Sequence, residues 1–200
     1  SINYRLTHEA HWPAQIDDCR SALRWLRSQA AKYDLNGQRL AVGGGSAGGH
    51  LVAVLGTQDA PPGEATSSTV QAVIDFYGPS DLLTMPANQP GPGKNDAQLA
   101  KNNGAKLLGG VVKDRPELAN QASALPQVTA GDAPFLILHG DKDPQVPLSQ
   151  SERLHARLLE VGVPSKLHVL TGAGHGGPQF DTPEVRELIR EFLKVQLKPR

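Results

Sequence analysis

The sequence predicts an α/β fold, a mainly parallel sheet with helices on both faces. Three observations carry that expectation. Strand-like and helix-like segments alternate along the chain, the internal strand-like runs are apolar at consecutive positions, and a glycine-rich turn stands between one such run and a helix. Strands buried on both faces lose the period-two alternation of a half-exposed sheet.

Taken in order, Ile2-Asn3-Tyr4-Arg5-Leu6 has strand character. From Pro13 to Tyr33, Ile16, Cys19, Leu23, Leu26 and Ala30 recur every three or four positions and predict an amphipathic helix with Pro13 in its first turn. Asp34-Leu35-Asn36-Gly37 supplies turn chemistry, and Arg39 to Val42 reads as a short buried strand. Leu51 to Leu55 predicts an apolar helix, Ala72 to Phe76 a second strand and Phe135 to Leu138 a third. Leu154, Leu158 and Val161 mark another helix, Leu167 to Leu170 a fourth strand, and Val185, Leu188, Ile189 and Phe192 a closing helix.

Residues 78–134 interrupt this rhythm. Pro86 to Gly93 is rich in proline and glycine, with weak helical patches around Ala97 and Leu107. A segment of that length is expected to be a lid or binding insertion within a single domain spanning residues 1–200.

Composition narrows the function classes. Lysine plus arginine and aspartate plus glutamate both number 20, so no global field favours nucleic acid or an anionic membrane. No apolar run is long enough to span a bilayer. Cys19 is the single cysteine and has no internal disulfide partner. Nothing at Ser1 to Arg5 reads as a signal peptide, which leaves the compartment open, cytoplasmic or secreted with the signal removed.

Chemistry concentrates in Gly43 to His50. Gly44, Ser46 and Gly48 match G-x-S-x-G directly between a predicted strand and a predicted helix. At such a turn the serine takes a strained backbone conformation, and small residues two before and two after it let strand and helix approach. The competing reading is a phosphate-binding turn, but a Walker loop requires a lysine where this chain has His50 and Leu51.

A serine hydroxyl needs a base to take its proton and a carboxylate to hold that base in the right tautomer. Both are expected downstream. The loop after the third strand holds two candidate acids, Asp141 and Asp143, and the loop after the fourth holds His175 between glycines, the preferred base. His139, His155 and His168 read as structural, and His8 and His11 lie near the chain start. His50 is placed to pack beside the site, and Asp75 to hydrogen-bond local backbone. No histidine or cysteine spacing suits a metal.

Several blocks then resemble, in order, the bacterial esterases of the hormone-sensitive-lipase-like and acetyl/feruloyl (BD-FAE) groups. They are Asn3 to Leu6, the helix with Asp17 and Trp25, Gly45 to His50, Phe76-Tyr77-Gly78-Pro79, Leu138 to Asp141, and Gly172 to Gly176. The resemblance implies a three-layer α/β-hydrolase fold and a serine carboxylesterase acting without a cofactor on short-chain acyl esters, such as carbohydrate acetyl or feruloyl esters. It selects Asp143 as the acid, three residues before Val146, and leaves Asp141 as a turn-former.

The resemblance also sets an expectation about the oxyanion hole. Ala47 N–H is expected to supply one donor, while the family takes others from a His-Gly-Gly loop upstream of the block matched by Asn3 to Leu6. The chain is therefore expected to be N-terminally truncated or minimal. It would recover the sheet edge at Leu40 to Val42 by homodimerisation or by repositioning Ile2 to Leu6. A clean monomer by light scattering with normal esterase activity contradicts the dimer. Two alternatives accompany the esterase: a prolyl-oligopeptidase-like peptidase, against which Ala47 after the serine argues, and a non-catalytic hydrolase-like binding domain.

Overall fold

The computed structural model describes residues 1–58, 62–63, 65–92 and 94–198. Gly93 of the proline- and glycine-rich stretch and the last two residues of the chain lie outside the described residues. Strands β1 (Ala41–Gly45), β2 (Ala72–Phe76), β3 (Phe135–Gly140) and β4 (Ser165–Leu170) form one parallel sheet in the order β1-β2-β3-β4. Helix α1 (Ala14–Ser28) precedes the sheet, α2 (Ala47–Thr57) joins β1 to β2, α6 (Leu148–Glu160) joins β3 to β4, and α7 (Pro183–Gln196) closes the chain.

The two faces explain the unbroken apolar runs. Phe135 and Ile137 pack into the core made with α1, α2 and α6, through Ile16, Val54 and Leu154 among others. Leu136 and Leu138 point the other way, into a smaller core with Phe180 and with Val185 of α7. These four β3 side chains are wholly buried, so both faces demand apolar residues there. Burying each contributes on the order of 2 kcal/mol.

Several boundaries differ from the sequence expectation. The long first helix stops at Ser28, followed by a short 3-10 turn at Ala31–Tyr33 that ends on Asp34 in the left-handed region. Strand β1 starts two residues later than expected and runs through the glycines to Gly45. Helix α2 begins at Ala47, immediately after the serine.

Ile2 to Leu6 is not a strand. The Arg5 N–H donates to Asp18 Oδ2 at 2.9 Å and the Leu6 N–H to Glu9 Oε2 at 2.7 Å, so side-chain carboxylates take the donors a sheet ladder would use. The segment therefore does not recover the edge of the sheet. Among the described residues β1 pairs with β2 alone.

Residues 78–134 are more ordered than their composition suggests. They carry α3 (Asp96–Leu99), α4 (Asn103–Leu108) and α5 (Pro116–Gln121), with 3-10 turns before α3, between α4 and α5, and after α5. Leu82, Leu108, Val112 and Ala119 are buried in the main core. Among the described residues no helix is long and apolar enough to cross a membrane.

Candidate functional site

Parallel strands with intervening helices present their loops together at the carboxyl edge of the sheet, where ligands of open α/β sheets bind. Ser46, Asp143 and His175 follow β1, β3 and β4 at that edge.

Ser46 sits at φ 55°, ψ −115°, a conformation side chains rarely adopt. Its N–H donates to Phe76 O at 2.9 Å and its carbonyl accepts from His50 N–H at 2.9 Å, so β2 and the first turn of α2 hold the turn from both sides. The glycine requirement differs in part from the expectation. A Cβ on Gly44 would lie 2.5 Å from the Gly48 carbonyl oxygen, and one on Gly49 would lie 2.5 Å from Asp75 Oδ1, whereas one on Gly48 meets nothing within 4 Å among the described residues. The close approach thus needs glycine at 44 and 49 and leaves room at 48. Gly49→Ala should cost about 2–3 kcal/mol of stability and Gly48→Ala less than about 1, measured by denaturant unfolding.

The acid and base loops are laced together. A Cβ on Gly140 would stand 2.2 Å from Ala173 O, so only glycine permits this approach. Across it Lys142 N–H donates to Ala173 O at 2.9 Å, and Gly172 N–H donates to Asp141 Oδ1 at 2.7 Å. Asp141 therefore bridges the two loops rather than closing a local turn.

This lacing brings Asp143 Oδ2 to 2.7 Å from His175 Nδ1, and His175 Nε2 to 2.7 Å from Ser46 Oγ. Burial by itself would raise the Asp143 pKa. Hydrogen bonds from the Val146 N–H, the His175 ring and the Gln145 N–H together outweigh it and hold the carboxyl below its ordinary value. A carboxylate only accepts, so His175 Nδ1 carries the proton and Nε2 is left to accept from the serine hydroxyl.

Three neighbours surround the triad: His50 was expected beside it and His139 as a structural residue, while Tyr77 was given no role by the sequence. Tyr77, with φ 44°, lays its ring 4.7 Å from the His175 ring and 4.7 Å from Phe180. His139 is wholly buried, donates from Nε2 to Val146 O at 2.9 Å and accepts at Nδ1 from the Ser151 hydroxyl at 2.6 Å, while Nε2 also lies 3.4 Å from Asp143 Oδ2. Burial lowers its pKa, so it stands as a neutral brace behind the acid. His50 is buried against Trp12 and bonded to the Ala122 carbonyl, which ties α2 to the residue that caps α5.

Asp75 does bond local backbone, accepting from Gly78 N–H at 2.9 Å, but its Oδ2 has no partner among the described residues and the side chain is fully buried beneath the serine turn. Burial pushes its pKa up to about 7, with the Gly78 bond opposing. In the unfolded chain Asp75 ionises at the ordinary aspartate value, while the folded protein keeps that proton to near neutrality. Stability is then greatest at acid pH and falls as pH rises through this window. Asn has no proton to lose, so Asp75→Asn should gain on the wild type from about pH 4 to about pH 8, by up to about 4 kcal/mol. Thermal melts showing a constant difference across that range would remove the argument.

A cleft of about 660 Å³ meets Ser46, Ala47 and His175. Its walls come from the Tyr4 to His8 segment on one side and from Leu82, Met85 and Leu107 of residues 78–134 on another. Ala47, the first residue of α2, carries an N–H that no helical carbonyl can reach.

Four parallel strands, helices on both faces and a strained serine between β1 and α2 make this an α/β-hydrolase fold. The BD-FAE family model matches residues 1–158, and the chain belongs to that family. Esterase LipQ of Mycobacterium tuberculosis is 30% identical over 98% of this chain. A truncated carbohydrate esterase from gut microbiota superposes with a TM-score of 0.84 at 31% identity, covering 98% of this chain and 73% of that one. A bifunctional GH43-CE protein of Bacteroides eggerthii gives a TM-score of 0.87 at 28% identity over 99% of this chain and 27% of its own. The chain spans about half the length of curated relatives it matches, 47% of LipQ and 45% of LipC, both of Mycobacterium tuberculosis.

Proposed function

We propose that this chain is a serine carboxylesterase acting on short-chain acyl esters through an acyl-Ser46 intermediate. The observation that carries the reading is the relay of two 2.7 Å hydrogen bonds from Asp143 through His175 to Ser46, at the floor of a cleft. Ser46 Oγ attacks the ester carbonyl as His175 Nε2 takes its proton, and Asp143 stabilises the imidazolium that forms. The carbonyl oxygen becomes an oxyanion, which receives the Ala47 N–H. The imidazolium then protonates the leaving alcohol, and the same ring later deprotonates water to release the acid. Residues 78–134 act as the lid over the acyl and alcohol groups. The likeness to a carbohydrate esterase and to an acetyl ester-xyloside bifunctional hydrolase supports esters of sugars, acetyl esters among them, as substrates, with feruloyl esters the other class the family resemblance implies.

Labelling with a fluorophosphonate probe tests the mechanism, because only an activated serine reacts quickly. Rapid incorporation at Ser46, together with hydrolysis of p-nitrophenyl acetate in preference to a proline anilide, is the expected result. An unlabelled chain would favour the binding-domain alternative, and preference for the anilide would favour the peptidase.

A further inference from the structure

Phe76, the last residue of β2, and Tyr77 after it reach all three arms of the triad. Phe76 O accepts from the Ser46 N–H at 2.9 Å, and the Tyr77 N–H donates to Leu138 O at 2.8 Å, on the strand that leads into the acid loop. The Tyr77 side chain reaches the third arm, with its ring 4.7 Å from that of His175. Glycines on both sides make room for it. A Cβ on Gly45, the residue before Ser46, would lie 3.0 Å from Tyr77 Oη, and one on Gly176, the residue after His175, would lie 3.1 Å from it.

Tyr77 holds this place at φ 44°, a left-handed conformation that is unfavourable for a bulky residue and persists where the surroundings over-determine it. Phe180 of the smaller core backs the ring edge-on at 4.7 Å. The Tyr77 hydroxyl has no hydrogen-bond partner among the described residues, so what it offers His175 is the ring.

His175 needs such a support at one stage of the reaction. Its loop continues through Gly176 and Gly177 at φ 88° and 115°, backbone that constrains the histidine weakly. The imidazole itself is held by bonds to Asp143 and to Ser46. The second of these is not permanent. In the acyl-enzyme Ser46 Oγ is an ester oxygen with no proton to donate, and Nε2 waits for water. One remaining hydrogen bond fixes a point of the ring but leaves it free to swing about that point.

We propose that Tyr77 is a positioning residue for His175, its ring keeping the imidazole in place while Ser46 is acylated. The inference rests on reading Ser46 as the nucleophile of an esterase.

Tyr77→Leu removes the ring and should lower kcat for p-nitrophenyl acetate on the order of 100-fold, the cost of a misplacement of about 1 Å, without raising KM. Tyr77→Phe keeps the ring and should retain turnover to within about threefold of wild type. A purely structural role would lower the melting temperature of Tyr77→Leu and leave kcat, assayed well below it, unchanged. That result would overturn the proposal, and so would an equal loss in Tyr77→Phe.

A second measurement depends neither on the folding of Tyr77→Leu nor on turnover. In Ser46→Ala the His175 Nε2 faces no hydroxyl, as in the acyl-enzyme, and nuclear Overhauser effects between the rings of Tyr77 and His175 should persist at wild-type strength. Their loss would overturn the proposal. An active wild type beside an equally active Tyr77→Leu removes the role of Tyr77 alone, whereas a wild type that neither hydrolyses p-nitrophenyl acetate nor reacts with a fluorophosphonate removes the esterase reading beneath it.

Discussion

Ser46→Ala is expected to lower kcat/KM for p-nitrophenyl acetate by on the order of 10⁵-fold, with the melting temperature within a few degrees of wild type. The size of the loss follows from what the hydroxyl does. Without Oγ no acyl-enzyme can form, and only the Ala47 N–H and the binding cleft remain to assist water. The fold should survive because the strain at position 46 lies in the backbone. Alanine inherits the φ of 55° as serine does, and the contacts that hold it, Ser46 N–H to Phe76 O and His50 N–H to Ser46 O, are main-chain bonds. Fluorophosphonate labelling should vanish together with turnover. Retention of most of the activity would remove Ser46 as nucleophile, however well the geometry suits it.

Much of this site was readable along the chain because its parts are local. A strained turn requires small residues around one serine, and Gly43 to Gly49 supplies them in a single run. The helices α1, α6 and α7 were readable because their apolar stripes repeat over three turns or more. Where elements are short, periodicity has nothing to repeat. Helices α3, α4 and α5 are four to six residues long and are set by caps instead, such as Asn95 with Gln98, Asn102, and Pro116 at the first turn of α5.

Other features lie between distant positions, where spacing carries no signal. The bond from Gly172 N–H to Asp141 spans 31 residues, and the burial of His139 behind Asp143 depends on Ser151 of α6. Gly49 rather than Gly48 is the crowded glycine because the collision is with Asp75 and Gly78 on a neighbouring strand and its loop. Ile2 to Leu6 failed as a strand for a related reason. Its β propensity is genuine, but Asp18 and Glu9 reach its N–H groups from nearby in the chain.

Asp143→Asn is expected to lower kcat on the order of 10⁴-fold with KM little changed, and the two oxygens of the carboxylate explain why. Oδ1 accepts from the N–H groups of Gln145 and Val146 at 2.8 and 2.9 Å, while Oδ2 accepts from His175 Nδ1. Asparagine must keep its oxygen toward the two backbone donors, which turns its NH₂ toward the histidine. A donor there forces His175 Nδ1 to give up its proton and move it to Nε2, the nitrogen that has to accept from Ser46. The base is then present, in place and in the wrong tautomer. His139 Nε2, 3.4 Å from the same position and itself a donor, offers the new amide no acceptor. Asp141→Asn is the matched control, since its oxygen can still accept from Gly172 N–H and less than about a tenfold loss is expected. If the two variants exchanged effects, Asp141 would be the acid, and the 2.7 Å contact of Asp143 with His175 would be a packing contact only.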